Sequence, residues 1–319
     1  MANQIGRLGY LGLAIEAVAG TPEASPDVYL NLNDAPKFNE KHEVISNIGL
    51  VHSRIERADS VQGKKWMEGN LNMNLDTIKC GYLFKLALGN EINDGAGRHD
   101  FYPTVSGNTL LSATLFQNRG GNIFETIPYC VVDQLNLTAG DGLITLQATC
   151  KSKVASNSSQ LTPTTTSGKA FTFANYTVKF GATLAAAELS TAIKLNSFNL
   201  VIANNVQLHH QSGSQEFSIV TSKQLKVTGS YTKLFDSVTE RDVFMGLTKR
   251  SMVVDFTIPG STETIKINIP KFALQENTID GGISDIYAET GSFEAELDTT
   301  QMAHFMTVIV TNSKTTAYA

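Results

Sequence analysis

His209 and His210 are the only adjacent histidines in the chain, and neighbouring histidines are a simple way to begin a metal site. On a strand, however, successive side chains point to opposite faces, so this pair cannot close on one ion without an irregular backbone. Glu294 and Glu296 stand two apart, which puts both carboxylates on one strand face. That spacing is compatible with acid–base work and equally with a solvated or interface edge. Cys80, Cys130 and Cys150 form no C-x-x-C pair. Cys130 and Cys150 flank a hairpin and could be bridged, but an odd count in a cysteine-poor chain favours reduced thiols packed as small hydrophobes. Gly6, Gly9 and Gly12 recur every third residue without the strand-to-helix phosphate loop that such glycines would serve. No H-E-x-x-H, G-x-S-x-G or Cys/His zinc spacing occurs. The expectation is a protein that is not an enzyme, with no catalytic residue, no cofactor and no metal.

Charge tells more than these scattered groups. The 319 residues carry 25 Lys+Arg against 30 Asp+Glu, a net charge of −5, so no broad basic surface exists to hold nucleic acid by its phosphates. Charged residues make up only 17%, against roughly 25% in an average soluble protein. Asn, Ser, Thr, Gln and Gly take their place, neutral polar residues suited to strands, turns and contact surfaces. One stretch runs against this trend. Between Phe272 and Thr300 lie Glu276, Asp280, Asp285, Glu289, Glu294, Glu296 and Asp298, with no Lys or Arg. It reads as a candidate anionic face, either solvated or meant to repel an anion or dock a basic partner.

The elements that would position these residues are mainly strands. Leu71, Met73 and Leu75 alternate with asparagines from Gly69 onward, the mark of a half-buried strand. Val131–Thr138 and Leu143–Cys150 flank the turn Ala139-Gly140-Asp141-Gly142, and pairing them about it sets Leu135 near Leu146 and Leu137 near Ile144. Met252–Ile258 and Ile265–Ile269 form a second hairpin, which Pro270, lacking an N–H, is expected to stop. Two helices are expected, from Asp76-Thr77 to Leu88 with Gly89 as C-cap, and from Ser237 to about Leu247 with Glu240 at capping-box spacing. Val154–Lys169 is the best linker or long loop. Arg7 and Leu8–Gly20 have the outline of a signal peptide, but Glu16 interrupts it, and no apolar run approaches the ~18 residues of a membrane helix. The chain therefore reads as cytosolic at synthesis, and the sequons at Asn136, Asn157 and Asn175 carry no expectation of glycosylation.

The two strand–helix units match one another. Gly69, Leu71, Leu75, Asp76 and Thr77 lie against Gly229, Tyr231, Phe235, Asp236 and Ser237 without a gap, at an offset of 160, half the chain. Just upstream, Asn47–His52 lies against Asn205–His210 at an offset of 158. Each unit is an alternating strand ending in Asp-Thr or Asp-Ser, whose side-chain oxygen can cap the helix that turns back over the sheet. The expectation is a mainly β protein with minor α, a tandem duplication with repeats at 1–160 and 161–319 that pack as one compact unit or as two.

The stretch from Gly12-Leu13-Ala-Ile15-Glu16 through Gly20-Thr21 to Pro26 resembles the opening of tail tube proteins of long-tailed double-stranded DNA phages. The resemblance continues in Trp66-Met-Glu-Gly69, Leu86-Ala-Leu88-Gly89, His99-Asp-Phe101, Asn204-Asn205, the unit at Gly229, and Ile267-Asn-Ile269-Pro270. It covers most of the chain and is weakest from Val154 to Ala192. It implies a β-sandwich or barrel with a flanking helix, no catalytic residues, and stacked rings around a tape-measure protein that form a conduit for genome ejection. Partners would be further copies of the chain, the tape-measure protein, a tail terminator and distal tail or tip proteins, within a virion tail assembled in the host cytoplasm. Double-stranded DNA would pass without specific binding, along a wall to which the acidic stretch contributes. With the duplication, three chains would make a ring of six pseudo-equivalent positions, where six undivided chains are the alternative. A carbohydrate-binding or adhesive β-sandwich of a tail tip or baseplate is the rival, and the single Trp66 weighs against it.

Overall fold

Alternating strands of this kind have to bury one face, and in the computed structural model they do so by layering. The structure describes residues 9–35, 37–47, 59–104, 107, 109–121, 123–164, 168–281, 286–298 and 305–318. The first half supplies β1 (Tyr10–Ile15), β2 (Val28–Tyr29), β3 (Lys37–Asn47), β4 (Asp59–Asn74), α1 (Cys80–Leu88), β5 (Gly89–Asn93), β6 (Arg98–Pro103), β7 (Ala113–Asn118), β8 (Phe124–Ala139), β9 (Thr145–Ser152) and β10 (Ser156–Asn157). The second supplies β11 (Tyr176–Gly181), α2 (Leu184–Leu189), β12 (Ser197–Ala203), β13 (Val206–His210), β14 (Phe217–Ser222), β15 (Lys226–Leu234), α3 (Thr239–Met245), β16 (Arg250–Thr257), β17 (Thr264–Asp280), β18 (Ala288–Ala295) and β19 (Thr307–Thr311).

Eight of these strands form one antiparallel array in the order β3-β4-β9-β8-β12-β15-β18-β17. The long strands β8 and β17 run on into a second layer. There β8 pairs with β7 and β10, and β17 pairs with β16 and β19. Leu71, Met73, Leu135, Leu137, Leu146, Leu200, Ile202 and Val227 on the array join Leu13, Leu115, Ile127, Met252, Ile265 and Ile267 of the second layer in one continuous core. Strands of the two halves also pair directly, β8 with β12 and β6 with β19.

One set of pairings occurs twice. The pairs β1–β7, β3–β4, β4–β9, β7–β8 and β8–β9 have as counterparts β11–β16, β12–β15, β15–β18, β16–β17 and β17–β18, all antiparallel. With Gly69 laid on Gly229, following the ladders puts the β8 bulge between Val132 and Gln134 onto the β17 bulge between Leu274 and Glu276. The bulge between Ala113 and Leu115 falls likewise on that between Arg250 and Met252. On the outer strand the same ladders lay Phe38 on Leu200, so the 158-residue match upstream is not a match of register. Ile48–His52 of that match lie outside the described residues.

The two strand–helix corners then diverge. Asp76 Oδ1 accepts from the backbone N–H of Ile78, Lys79 and Cys80, and burial raises its carboxyl above the ordinary value. Asp236, by contrast, is exposed and takes Lys233 Nζ at 2.7 Å instead of a helix N–H. Glu240 does not reach back to close a capping box, and pairs with Arg250 at 2.9 Å. α1 is buried except at Lys85, while α3 buries Glu240 alone.

Two expected details are corrected. Pro270 does not end its strand, because it falls in the bulge between the Met252–Ile269 and Arg250–Phe272 pairs, past the last β19 pair and before β18 joins at Phe272, where the ladder needs no N–H from it. Leu135 pairs with Ala148 and Leu137 with Leu146, since the longer turn, with Thr138 opposite Thr145, shifts the register by two. α2 lies in the span of weakest pattern and was not expected.

The buried phenols set an alkaline limit. Burial pushes Tyr82 up to about 12, with Asp27 and Glu91 adding to the shift, and burial drives Tyr231 and Tyr318 further in the same direction. Their folded values lie above the unfolded value of 10.0, so the stability they contribute is present below pH 10 and is lost as pH rises toward 12 and beyond. Circular dichroism and phenolate absorbance, recorded together, should show unfolding above pH 10 with these phenolates appearing in the same step. Complete phenolate formation near pH 10 in a folded protein would contradict this.

Candidate functional site

The face of the eight-stranded array turned away from the core is built from the alternate residues of each strand. One row crosses seven strands by direct pairing: Asn74, Thr145, Thr138, Asn199, Ser230, Ser292 and Glu276. Beside it run Asn72, Gln147, Asn136, Val201, Thr228 and Glu294. Across β4, β9, β8, β12 and β15 these two rows are amides and hydroxyls, with Val201 as the one apolar residue and no charge. Asn199 Nδ2 donates to Asn136 Oδ1 at 2.8 Å and to Thr138 Oγ1 at 3.1 Å, so the join between the halves is sealed on this face as well as through the backbone. Charge enters at the margins. Lys226 pairs with Glu294 at 3.1 Å, Glu276 and Asp280 are exposed on β17, and Lys37 and Lys41 are exposed on β3.

The array also ends in two open edges. Among the described residues β3 pairs with β4 alone, and the stretch of β17 from Glu276 to Asp280 pairs with β18 alone. Unpaired ladder edges of this length invite another strand. A family model described as phage tail tube protein matches residues 6–303. The chain belongs to the phage tail tube protein family. A search of curated proteins finds no match. As a tail tube protein it is a structural viral protein of the virion tail, and its mainly β fold is the one the resemblance implied.

The expected acidic face of the tail tube protein is not one surface. Glu276 and Asp280 are open to solvent, but Glu289 points to the opposite side, fully buried, with Lys233 at 3.1 Å and Asn277 at 2.8 Å. Glu294 is paired with Lys226, and Glu296 with Lys249 and Lys271. Asp298 is buried, and Asp285 lies outside the described residues. The odd number of residues from Glu289 to Glu294 already separates their faces on one strand. The neutralising lysines come from β15, from the residue before β16 and from β17, so no stretch of sequence shows them together.

Of the repeat positions, Leu71, Leu75, Thr77 and Tyr231 are buried with Asp76, Phe235 is partly buried, and Asp236 and Ser237 are exposed. Gly69 and Gly229 are held small by neighbours, because a Cβ would stand 2.6 Å from the Phe38 ring in one case and 2.4 Å from the Phe293 ring in the other. The histidine pair is split by a bulge. His209 Nε2 meets Thr221 Oγ1 at 2.7 Å, and His210 packs edge-on to Trp66 and Phe217. Trp66 donates to Glu68 at 2.9 Å, which commits its indole N–H within the chain. The three cysteines are free and buried, and Cys150 together with burial holds the Cys130 thiol well above its ordinary value. No group of three His, Cys, Asp or Glu able to hold a metal occurs among the described residues. What the sequence did not disclose is the neutral wall itself, because its rows are assembled from strands far apart along the chain.

Proposed function

We propose that this tail tube protein self-assembles into stacked rings of three chains, each chain supplying two tube-fold repeats, with the neutral polar face lining the channel through which double-stranded DNA leaves. The single observation that carries this is the array itself, a four-strand path walked twice, joined through β8 and β12, and left open at both ends. A head-to-tail contact between such ends closes into a ring when the rotation permits. Matching bulges in both halves support a duplication, and six pseudo-equivalent repeats then need three chains.

The wall suits passage rather than binding. Its two central rows carry no cation across β4, β9, β8, β12 and β15, and so gain nothing from counterion release when phosphates approach. Its amides and hydroxyls exchange hydrogen bonds with water at little net gain. The tape-measure protein would occupy the same channel before ejection, with a tail terminator and distal tail or tip proteins closing the ends. Class averages of the purified protein by electron microscopy should show rings or hollow tubes with three-fold symmetry and six similar lobes. Six-fold rings with one chain per lobe would overturn the three-chain assignment, and a monodisperse monomer at all concentrations would overturn self-assembly.

A further inference from the structure

The joint inside the chain supplies a template for the joint between chains. β8 has four neighbours, β7 and β10 along its first half and β9 and β12 along its second. Its counterpart β17 has β16 and β19 along its first half but only β18 along its second, among the described residues. β12 lies between β8 and β15, whereas its counterpart β3 has β4 alone. The two vacancies are therefore the two sides of one missing pairing, the equivalent of β8–β12.

That internal pairing has a known register. Thr138 faces Asn199, Leu137 faces Leu200, Asn136 faces Val201, and Gln134 faces Ala203. Following the ladders across the repeat lays Thr138 on Asp280, Leu137 on Ile279, Asn136 on Thr278 and Gln134 on Glu276. On the other strand Asn199 falls on Lys37, Leu200 on Phe38, Val201 on Asn39 and Ala203 on Lys41. We infer that the Glu276–Asp280 edge of β17 pairs antiparallel with the Lys37–Lys41 edge of β3 in a second copy of this chain, with Glu276 opposite Lys41 and Asp280 opposite Lys37. Ile279 then meets Phe38 on the core side, and Thr278 meets Asn39 between the two ion pairs.

Nothing in the internal joint required opposite charges at these positions, since its own residues there are neutral. All four charged side chains are exposed, and none has a hydrogen bond or ion pair among the described residues. Slipping the register by two in one direction sets Glu276 opposite Glu43, and in either direction both ion pairs are lost. Like charges directly opposite on paired strands destabilise, and opposite charges stabilise. The uncharged internal joint is fixed by covalent continuity, whereas the joint between chains has to find its register from solution. The two ion pairs provide that selection.

This rests on the ring-forming reading above, and the experiment separates the two. The chain with Lys37→Glu and Lys41→Glu, and the chain with Glu276→Lys and Asp280→Lys, should each lose tube yield by at least tenfold while remaining folded monomers by circular dichroism and gel filtration. The chain carrying all four substitutions, in which every joint again sets opposite charges face to face, distinguishes register from folding. The four-fold chain should form tubes again. Two-residue variants that assemble like the wild type, or a folded four-fold chain that does not recover, would overturn this pairing while leaving ring formation in place. Absence of rings from the wild type itself would overturn the reading beneath it.

Discussion

Tubes of the Asn136→Lys, Asn199→Lys variant should retain short double-stranded DNA that wild-type tubes release. Both positions lie on the neutral face where the two halves join, and Asn199 donates to Asn136 at 2.8 Å. Neither side chain belongs to the core, so the substitutions add charge to this face at the cost of the Asn199 side-chain hydrogen bonds, while the β8–β12 backbone ladder remains. In a ring of three chains the pair places six cations around one level of the channel, and stacking repeats them at every ring. Neutralising 6–10 phosphates makes binding fall by about 10³–10⁵ between 50 and 200 mM salt. Retention by the variant should therefore be strong at the lower salt and collapse at the higher, while wild-type tubes retain little at either. Asn136→Asp with Asn199→Asp controls for charge as such and should retain no DNA. Fluorescence of labelled duplex pelleted with the tubes measures all three, and a lysine variant that retains no more than wild type would remove this face from the channel.

The strands themselves were legible because alternation is local. Leu71, Met73 and Leu75 declare their face to anyone reading seven residues, and laying Gly69 on Gly229 brings the bulges of the two halves onto one another. Pairing was less legible. A turn two residues longer than Ala139–Gly142 moves Leu135 from the expected Leu146 to Ala148, because Thr138 pairs with Thr145 rather than Leu143. Pro270 marks a change of partner rather than an end, a distinction set by strands arriving from elsewhere. Asp76 and Asp236 occupy equivalent corners, yet only the first caps a helix, because Lys233 reaches the second. The acidic stretch misled for a related reason, since the cations that answer Glu289, Glu294 and Glu296 lie on other strands. The wall was present only as a composition, a shortage of charge made up by Asn, Gln, Ser and Thr. Folding gathered that composition onto one face.

Glu91→Ala should be the most destabilising single substitution outside the apolar core, by about 3–5 kcal/mol, the range for breaking a buried ion pair by removing one partner. The Glu91 side chain is 1% exposed and serves three groups at once: His99 Nδ1 at 2.7 Å, Lys85 Nζ at 3.2 Å, and the backbone N–H of Tyr318. His99 is fully buried, and its Nε2 meets the carbonyl of Lys314 at 2.7 Å, so both ring nitrogens face oxygen atoms of the chain. Tyr318 is itself fully buried, stacked edge-on to Tyr82 and His99, with its hydroxyl donating to the Ile78 carbonyl at 2.8 Å. The carboxylate thus ties α1, the β5–β6 hairpin and the C-terminal strand's extension together, and these come from positions more than 200 residues apart. Removing it leaves His99 Nδ1 and the Tyr318 N–H without the carboxylate they share. Glu91→Gln keeps one acceptor oxygen for Tyr318 but loses the charge and turns the other oxygen into a donor, so its cost should be smaller than that of alanine without being negligible. Tyr318→Ala should cost about 3–5 kcal/mol, as for other large buried aromatics. Because Glu91 and Tyr318 share one contact, the double variant should cost less than the two single changes added. Guanidinium unfolding of the unassembled protein measures each value, and strict additivity would show that the carboxylate and the ring do not act as one fastening.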